Sequence, residues 1–222
     1  MILQPYFKKI IQMSKRFNFL LFIVPLLVFQ SSCQKKLQLE DNSSAGVYSE
    51  SNIDSIAQRI AVFYGDYDKA ITFGYRSVAK DPNNLDKLFV LARMHYFASH
   101  FEISVKICAD INKKDSLNQN VMELAALNFV GLKSYDNAIN LYKGTGIKFS
   151  NPVFLYKAAV IEFESEKLDE CLNTLNAALQ DSSITRRKIG VTRINAANQS
   201  IVEEINLLAA TYNLSGYVAL KK

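Results

Sequence analysis

From about residue 52 to residue 185, apolar and small side chains return in blocks separated by short polar turns, and the blocks themselves repeat. Tyr67, Phe101 and Tyr135 are each 34 residues apart, and Leu168 follows after 33. Ala70, Ser104, Ala138 and Cys171 keep the same step. Inside each block the apolar positions recur at three and four residues, the period of an α-helix. Each period holds two such helical stretches. A fixed period of this size predicts stacked helical hairpins, in which each unit buries its apolar face only against its neighbours. The first repeat is expected over 51–84, with helices near 52–64 and 67–80. The others are expected over 85–118, 119–151 and 152–185.

Two helices that cross closely need small side chains where they meet. Three crossing positions in four repeats give twelve sites, and ten are small: Ala70, Ser77, Ala92, Ser104, Ala126, Ala138, Thr145, Ala159, Cys171 and Ala178. Gln58 and Ile111 depart from the rule. The large residues Tyr67, Phe101, Tyr135 and Leu168 are expected to plug the gaps between adjacent hairpins. The segment Gly65-Asp66-Tyr67-Asp68-Lys69-Ala70-Ile71, followed by Asp81-Pro82-Asn83-Asn84, resembles the tetratricopeptide repeat. Pro82 cannot continue the helix before it, whereas Pro152 suits the first turn of a new one. The resemblance covers about 51–185 and implies an all-α, right-handed solenoid of about four hairpins.

Two stretches complicate the pattern. The second helix of repeat three carries Gly144 and Gly146, so it is expected to be short or frayed. Beyond 185, KIGVTRI (188–194) and IVEEI (201–205) are β-branched and roughly alternating, with turn-like residues between them. A small β-hairpin over 186–204 is the expectation. The competing reading is helix, because the apolar residues of VEEINLLAATYNLSGYVAL fall at helical spacing. The strand-to-helix change is placed near Glu204, and the last helix, over 205–222, resembles a first helix that caps the stack.

The N-terminal end has a different composition. Phe17–Phe29 is an apolar run, short for a membrane span. It follows Lys15 and Arg16 and precedes Gln30-Ser31-Ser32-Cys33. Basic, apolar, then small is the order of an export signal. The Ser-Ser-Cys ending resembles the lipobox of bacterial lipoproteins, although Gln30 stands where Leu is usual. That resemblance implies a signal peptide over 1–32 and a lipidated Cys33 as the new N-terminus. Met13 offers an alternative start, giving a more compact signal. Residues 33–51 form the lipidated end and a polar tether, whose 18 or so flexible residues reach about 24 Å.

The formal charge of +5 and pI near 9.0 suggest nucleic acid until the charge is located. Lys8, Lys9, Lys15 and Arg16 precede Cys33 and no acidic residue does, which leaves 22 basic and 21 acidic residues in the remainder. A near-neutral body lacks the basic face that phosphate-backbone binding needs. Catalytic chemistry is not expected either. His95 lies on a buried helix side and His100 in a turn, and their spacing does not place them together as metal ligands. Cys108 and Cys171 lie on the second helices of repeats two and four and read as buried filler. Gly144-Thr145-Gly146 lacks the strand and the Lys-Ser/Thr of a phosphate loop. Neither an enzyme nor a cofactor is expected.

What remains is a surface. In the tetratricopeptide family the first helices line a concave groove. The resemblance assigns to it Arg59 and Phe63 from repeat one and Phe89, Arg93, Tyr96 and Phe97 from repeat two. Asn120 and Glu123 from repeat three and Tyr156 from repeat four continue it. Aromatic side chains mixed with arginine are the composition of a protein-binding surface. A partly packed inner wall, with each Arg paired to a neighbour such as Glu123, is the alternative. Ser55, Val90 and Asn120 do not supply the family's carboxylate clamp. The expectation is a lipoprotein scaffold on the outer or inner membrane of a Gram-negative envelope, with the outer membrane preferred, facing the periplasm and holding an extended peptide or protein. Its rivals are a structural subunit of an outer-membrane assembly or secretion complex and an accessory factor of a cell-wall enzyme.

Overall fold

The computed structural model describes residues 50–194 and 200–222. The expected signal peptide, Cys33 and the tether up to residue 49 lie outside the described residues, and residues 50 and 51, expected in the tether, belong to the first helix. Four antiparallel helical hairpins follow one another: α1 (Glu50–Phe63) with α2 (Tyr67–Lys80), α3 (Leu85–Phe97) with α4 (Phe101–Lys114), α5 (Gln119–Gly131) with α6 (Tyr135–Lys148), and α7 (Pro152–Glu164) with α8 (Leu168–Leu179). A 3₁₀ turn (Ser182–Arg186), strands β1 (Lys188–Ile194) and β2 (Ser200–Asn206), and helix α9 (Leu207–Lys221) complete the described chain. The described residues fall into two compact units, 185–210 and the remainder.

The hairpins are built the way the period requires. All twelve expected crossing positions are buried, including the two that break the small-residue rule. Ile111 is absorbed into the core beneath hairpin three. Gln58 is accommodated by Gly74 on α2, where a Cβ would come within 2.7 Å of the Gln58 Nε2. Each core cluster joins one hairpin to the next helix in line. Leu91 and Met94 of α3 pack on Ala61, Ala70 and Ile71. Val121 and Leu124 of α5 pack on Ala92, Cys108 and Ile111. Phe154, Ala158 and Ile161 of α7 pack on Ala126, Ala138, Ile139 and Tyr142. Leu214 and Val218 of α9 close the series against Ala159, Cys171 and Leu175.

Repeated local chemistry starts and stops the helices. Asn84, Asn118 and Asn151 cap α3, α5 and α7, each side-chain oxygen accepting a backbone N–H from the first turn. All four hairpin turns share one bonding pattern. The amides of Asp66, His100, Ser134 and Lys167 donate to the carbonyls of Ala61, His95, Phe129 and Glu162, each at 2.8 Å. The residue before each, Gly65, Ser99, Lys133 and Glu166, has φ between 57° and 71°. This is the Schellman ending of a helix, which favours glycine at its left-handed position. Only the first turn has one.

Helix α6 departs from expectation. It runs the full length from Tyr135 to Lys148 despite its two glycines. Gly146 is there for proximity: a Cβ would lie 2.9 Å from Leu155 Cγ and 3.2 Å from its backbone nitrogen. Gly144 faces open space. Tertiary packing over Gly146 outweighs the helix-propensity cost of both glycines.

The unit at 185–210 contains an antiparallel hairpin with Lys188 opposite Asn206 and Ile189 opposite Ile205. Strand β2 continues to Asn206, two residues beyond the expected change at Glu204. Asn206 explains the new boundary. Its side-chain oxygen accepts the Leu208 N–H at 2.9 Å and its amide donates to the Thr185 carbonyl at 2.7 Å. One residue therefore ends the strand and caps α9.

The two glycines of α6 give opposite expectations. Gly144→Ala should raise stability by about 0.5–1 kcal/mol, because it reduces unfolded-chain freedom and meets nothing. Gly146→Ala should lower it by about 1–3 kcal/mol through overpacking against Leu155. Thermal or urea melts of the two variants check both signs.

Candidate functional site

The first helices form one wall. Helices α3 and α5 touch, and Lys157 on α7 bonds Glu123 on α5. Glu123, named in the alternative reading as an example of a neighbour for the arginines, is held by a lysine of the next first helix.

Helix α3 supplies the centre of the wall. The Arg93 guanidinium lies over two rings of its own helix, 6.0 Å from the centroid of Phe89 and 5.8 Å from that of Phe97. Positions i–4 and i+4 share one face of a helix, so the sequence spacing places the cation between the aromatics. Phe97 in turn stacks on Tyr67 of hairpin one, at 5.5 Å between centroids. Tyr96 meets both Phe97 and Phe101 edge-on or tilted. The Phe101 ring lies so close to Gly131 that a Cβ there would approach it to 2.7 Å. Tyr67 and Phe101 thus plug the first and second inter-hairpin gaps as expected. Tyr135, expected to plug the third gap, is 41% exposed.

The expected groove residues separate into two groups. Phe89, Tyr96 and Tyr156 are half-buried against the cores of their own hairpins, and Phe97 is half-buried against the core it shares with hairpin one. Arg59, Phe63 and Asn120 are exposed. Phe63 does not join the aromatics at Arg93. It is 78% exposed and meets Tyr64 edge-on at 5.3 Å. The partly packed inner wall, the alternative left open by the sequence, thus describes α3 and α7, while α1 presents exposed side chains.

Buried polar groups elsewhere serve the stack. Asp54, invisible to the motif reading, is almost fully enclosed and takes Lys80 at 2.8 Å and Arg76 at 3.3 Å. The hydrogen bond from Lys80 leads in holding its carboxyl below the ordinary value of 3.8, with burial opposing and Arg76 assisting. This clamp ties α1 to the end of α2, and its spacing of 26 residues matches no motif. Glu162 bonds Lys143 at 2.8 Å. Asn128 donates to the Ser104 hydroxyl, which donates to the Ala92 carbonyl. His95 is buried with Nε2 3.0 Å from the Tyr75 hydroxyl, and burial, assisted by His100, lowers its pKa. Burial pushes the thiols of Cys108 and Cys171 up to about 12, so both stay protonated at neutral pH. Among the described residues no group of three or more His, Cys, Asp or Glu side chains is placed to hold a metal ion.

The hairpin series, the recurring crossings and the closing helix together define the architecture. It is a tetratricopeptide-type fold. Among solved structures the chain is similar to MamA, residues 41 to the end, of Desulfovibrio magneticus RS-1, at 8% identity over 79% of this chain and 87% of that one, with a TM-score of 0.55. It is similar to MamA of AMB-1 at 19% identity over 60% and 76%, with a TM-score of 0.50. A thermophilic TPR protein of Thermus thermophilus matches at 17% identity over 60% and 75%, with a TM-score of 0.48. No protein-family model and no curated protein matches the chain. At these identities the likeness is one of fold.

The Asp54 clamp has a definite pH signature. A carboxylate whose pKa is lower when folded stabilises the protein above its unfolded pKa, and the contribution is lost as pH falls through the folded value. Asp54→Asn should therefore lower the melting temperature clearly at pH 7. The difference from wild type should shrink below the ordinary 3.8. Melts of both proteins from neutral pH down to well below that value provide the test.

Proposed function

We propose that the chain is a membrane-anchored lipoprotein of a Gram-negative envelope, facing the periplasm from the outer membrane, whose first-helix wall holds a protein partner. The observation that carries the binding role is the Arg93 cation laid across Phe89 and Phe97. A fixed guanidinium over aromatic rings suits a partner segment with acidic and apolar side chains in extended order, through charge-assisted and cation–π contacts. Arg59, 34 residues earlier and exposed on α1, extends that chemistry. The anchor is supported by the basic, apolar, Ser-Ser-Cys order ending at Cys33. Among the described residues no helix is long and apolar enough to cross a membrane.

One observation favours a second reading, a structural subunit of an outer-membrane assembly or secretion complex. Tyr96 and Tyr156 are already engaged in their own hairpins and Phe97 against hairpin one, which leaves less free surface for an exchangeable ligand. Micromolar binding of a short peptide belongs to the first reading. Stable co-purification with an integral membrane protein belongs to the second.

Cys33→Ser should move the protein from the membrane fraction to the soluble periplasm, since the several acyl chains of a lipoprotein are what give firm anchoring. A protein that stays membrane-bound and uncleaved refutes the anchor. Detergent-solubilised pull-down with mass spectrometry identifies the partner. The double variant Arg59→Ala/Arg93→Ala should then reduce its recovery by roughly 10- to 100-fold while the helical circular dichroism stays unchanged. Undiminished recovery moves binding off this wall.

A further inference from the structure

Helix α1 carries an apolar stripe that the rest of the described chain does not cover. Ile53, Ile56, Ile60 and Phe63 are all exposed, Ile60 at 53%, and Tyr64 continues the row. Their spacing of 3, 4 and 3 residues sets them on one face over three turns. Counterparts in the later hairpins show what this face is for. Ile60 corresponds to Met94, Asn128 and Ile161, which are exposed by only 4%, 0% and 7%. Met94 and Ile161 are buried because each first helix after α1 packs on the hairpin before it. Phe97, the counterpart of Phe63, is covered by Tyr67 of hairpin one in the same way. Helix α1 has the buried-face chemistry of an interior repeat and no described hairpin in front of it.

We infer that a second copy of this chain covers the stripe, with α1 packing on α1 of its partner, antiparallel across a twofold axis. Three features select this occupant. In the stack, a first helix meets the second helix of the preceding hairpin, which runs antiparallel to it; a twofold-related α1 arrives in that orientation. The 3-4-3 spacing reads the same in both directions, so Ile53 faces Phe63 and Ile56 faces Ile60, as a self-complementary interface demands. The five side chains expose on the order of 500 Å², the upper end for a monomer. Two such faces together approach the roughly 1,200 Å² of a small specific interface. The segment just upstream is a poor rival: residues 34–49 carry Leu37, Leu39, Val47 and Tyr48 among polar residues, with no helical apolar period. The interface uses the outer face of α1 and does not depend on the partner-binding role of the Arg93 platform.

Sedimentation velocity of the full chain in density-matched detergent reads the result. The wild type should sediment as a dimer. Ile60→Glu should raise the dissociation constant by at least about tenfold, and the milder Ile56→Gln should act in the same direction, both with unchanged helical circular dichroism. Ile103→Glu, on the exposed surface of α4, should remain dimeric. A monomeric wild type overturns the inference and leaves the stripe to an upstream segment or a foreign protein. A dimer that survives both Ile60→Glu and Ile56→Gln overturns it as well, because the contact would then lie elsewhere.

Discussion

Close approach of helices is the constraint on which this molecule rests. An α-helix pair that meets at alanine or serine brings backbones near enough for the flanking large side chains to interlock, and interiors are packed too tightly to forgive an extra methylene. Every hairpin here repeats that arrangement, and where a larger side chain enters, a glycine makes room at two sites. Gln58 is admitted because Gly74 recedes opposite it. Leu155 fits against α6 because residue 146 lacks a side chain. Ser104 keeps the crossing small and also relays a hydrogen bond from Asn128 to Ala92, so a polar atom is placed at zero exposure without being left unpaired.

The regular parts of the fold were legible in the chain because they depend on residue size and period alone. Tyr67 to Phe101 to Tyr135 set the frame, the alanines set the crossings, and Pro82 and Pro152 marked helix boundaries. What could not be read depends on partners far away in sequence. Gly144 and Gly146 look alike locally, and only the approach of Leu155 separates a close-packing glycine from an exposed one. The hairpin turns conceal their shared left-handed residue because three of the four use Ser, Lys or Glu in place of glycine. Asn206 serves strand and helix at once, which shifts the boundary by two residues.

The candidate wall shows the same division. The i, i+4 placement of Phe89, Arg93 and Phe97 follows from helical geometry and was readable. The engagement of Glu123 with Lys157 was not, since it joins two hairpins through long flexible side chains. Nor was the fate of the aromatics: half-burial of Tyr96, Phe97 and Tyr156 is decided by what the adjacent hairpin offers. The titratable groups follow suit. Protonated thiols, a histidine sheltered beside Tyr75 and a carboxylate clamped by two cations are the chemistry of holding helices together. The exposed arginine and phenylalanine side chains are what the surface offers to others.

The series of core clusters also makes the support of each hairpin a local matter. Each hairpin buries its apolar face only against its immediate neighbours, so ordered structure spreads from one unit to the next. Hairpin one differs from the rest in that the described chain leaves one face of α1 uncovered, while Ala61, Ala70 and Ile71 pack on Leu91 and Met94 of α3. Beyond the packing of α1 on α2, hairpin one is supported by Leu91 and Met94 of the next repeat. A change in one hairpin is therefore felt first by its two neighbours, and at the far end of the series that neighbour is the helix carrying Leu214 and Val218.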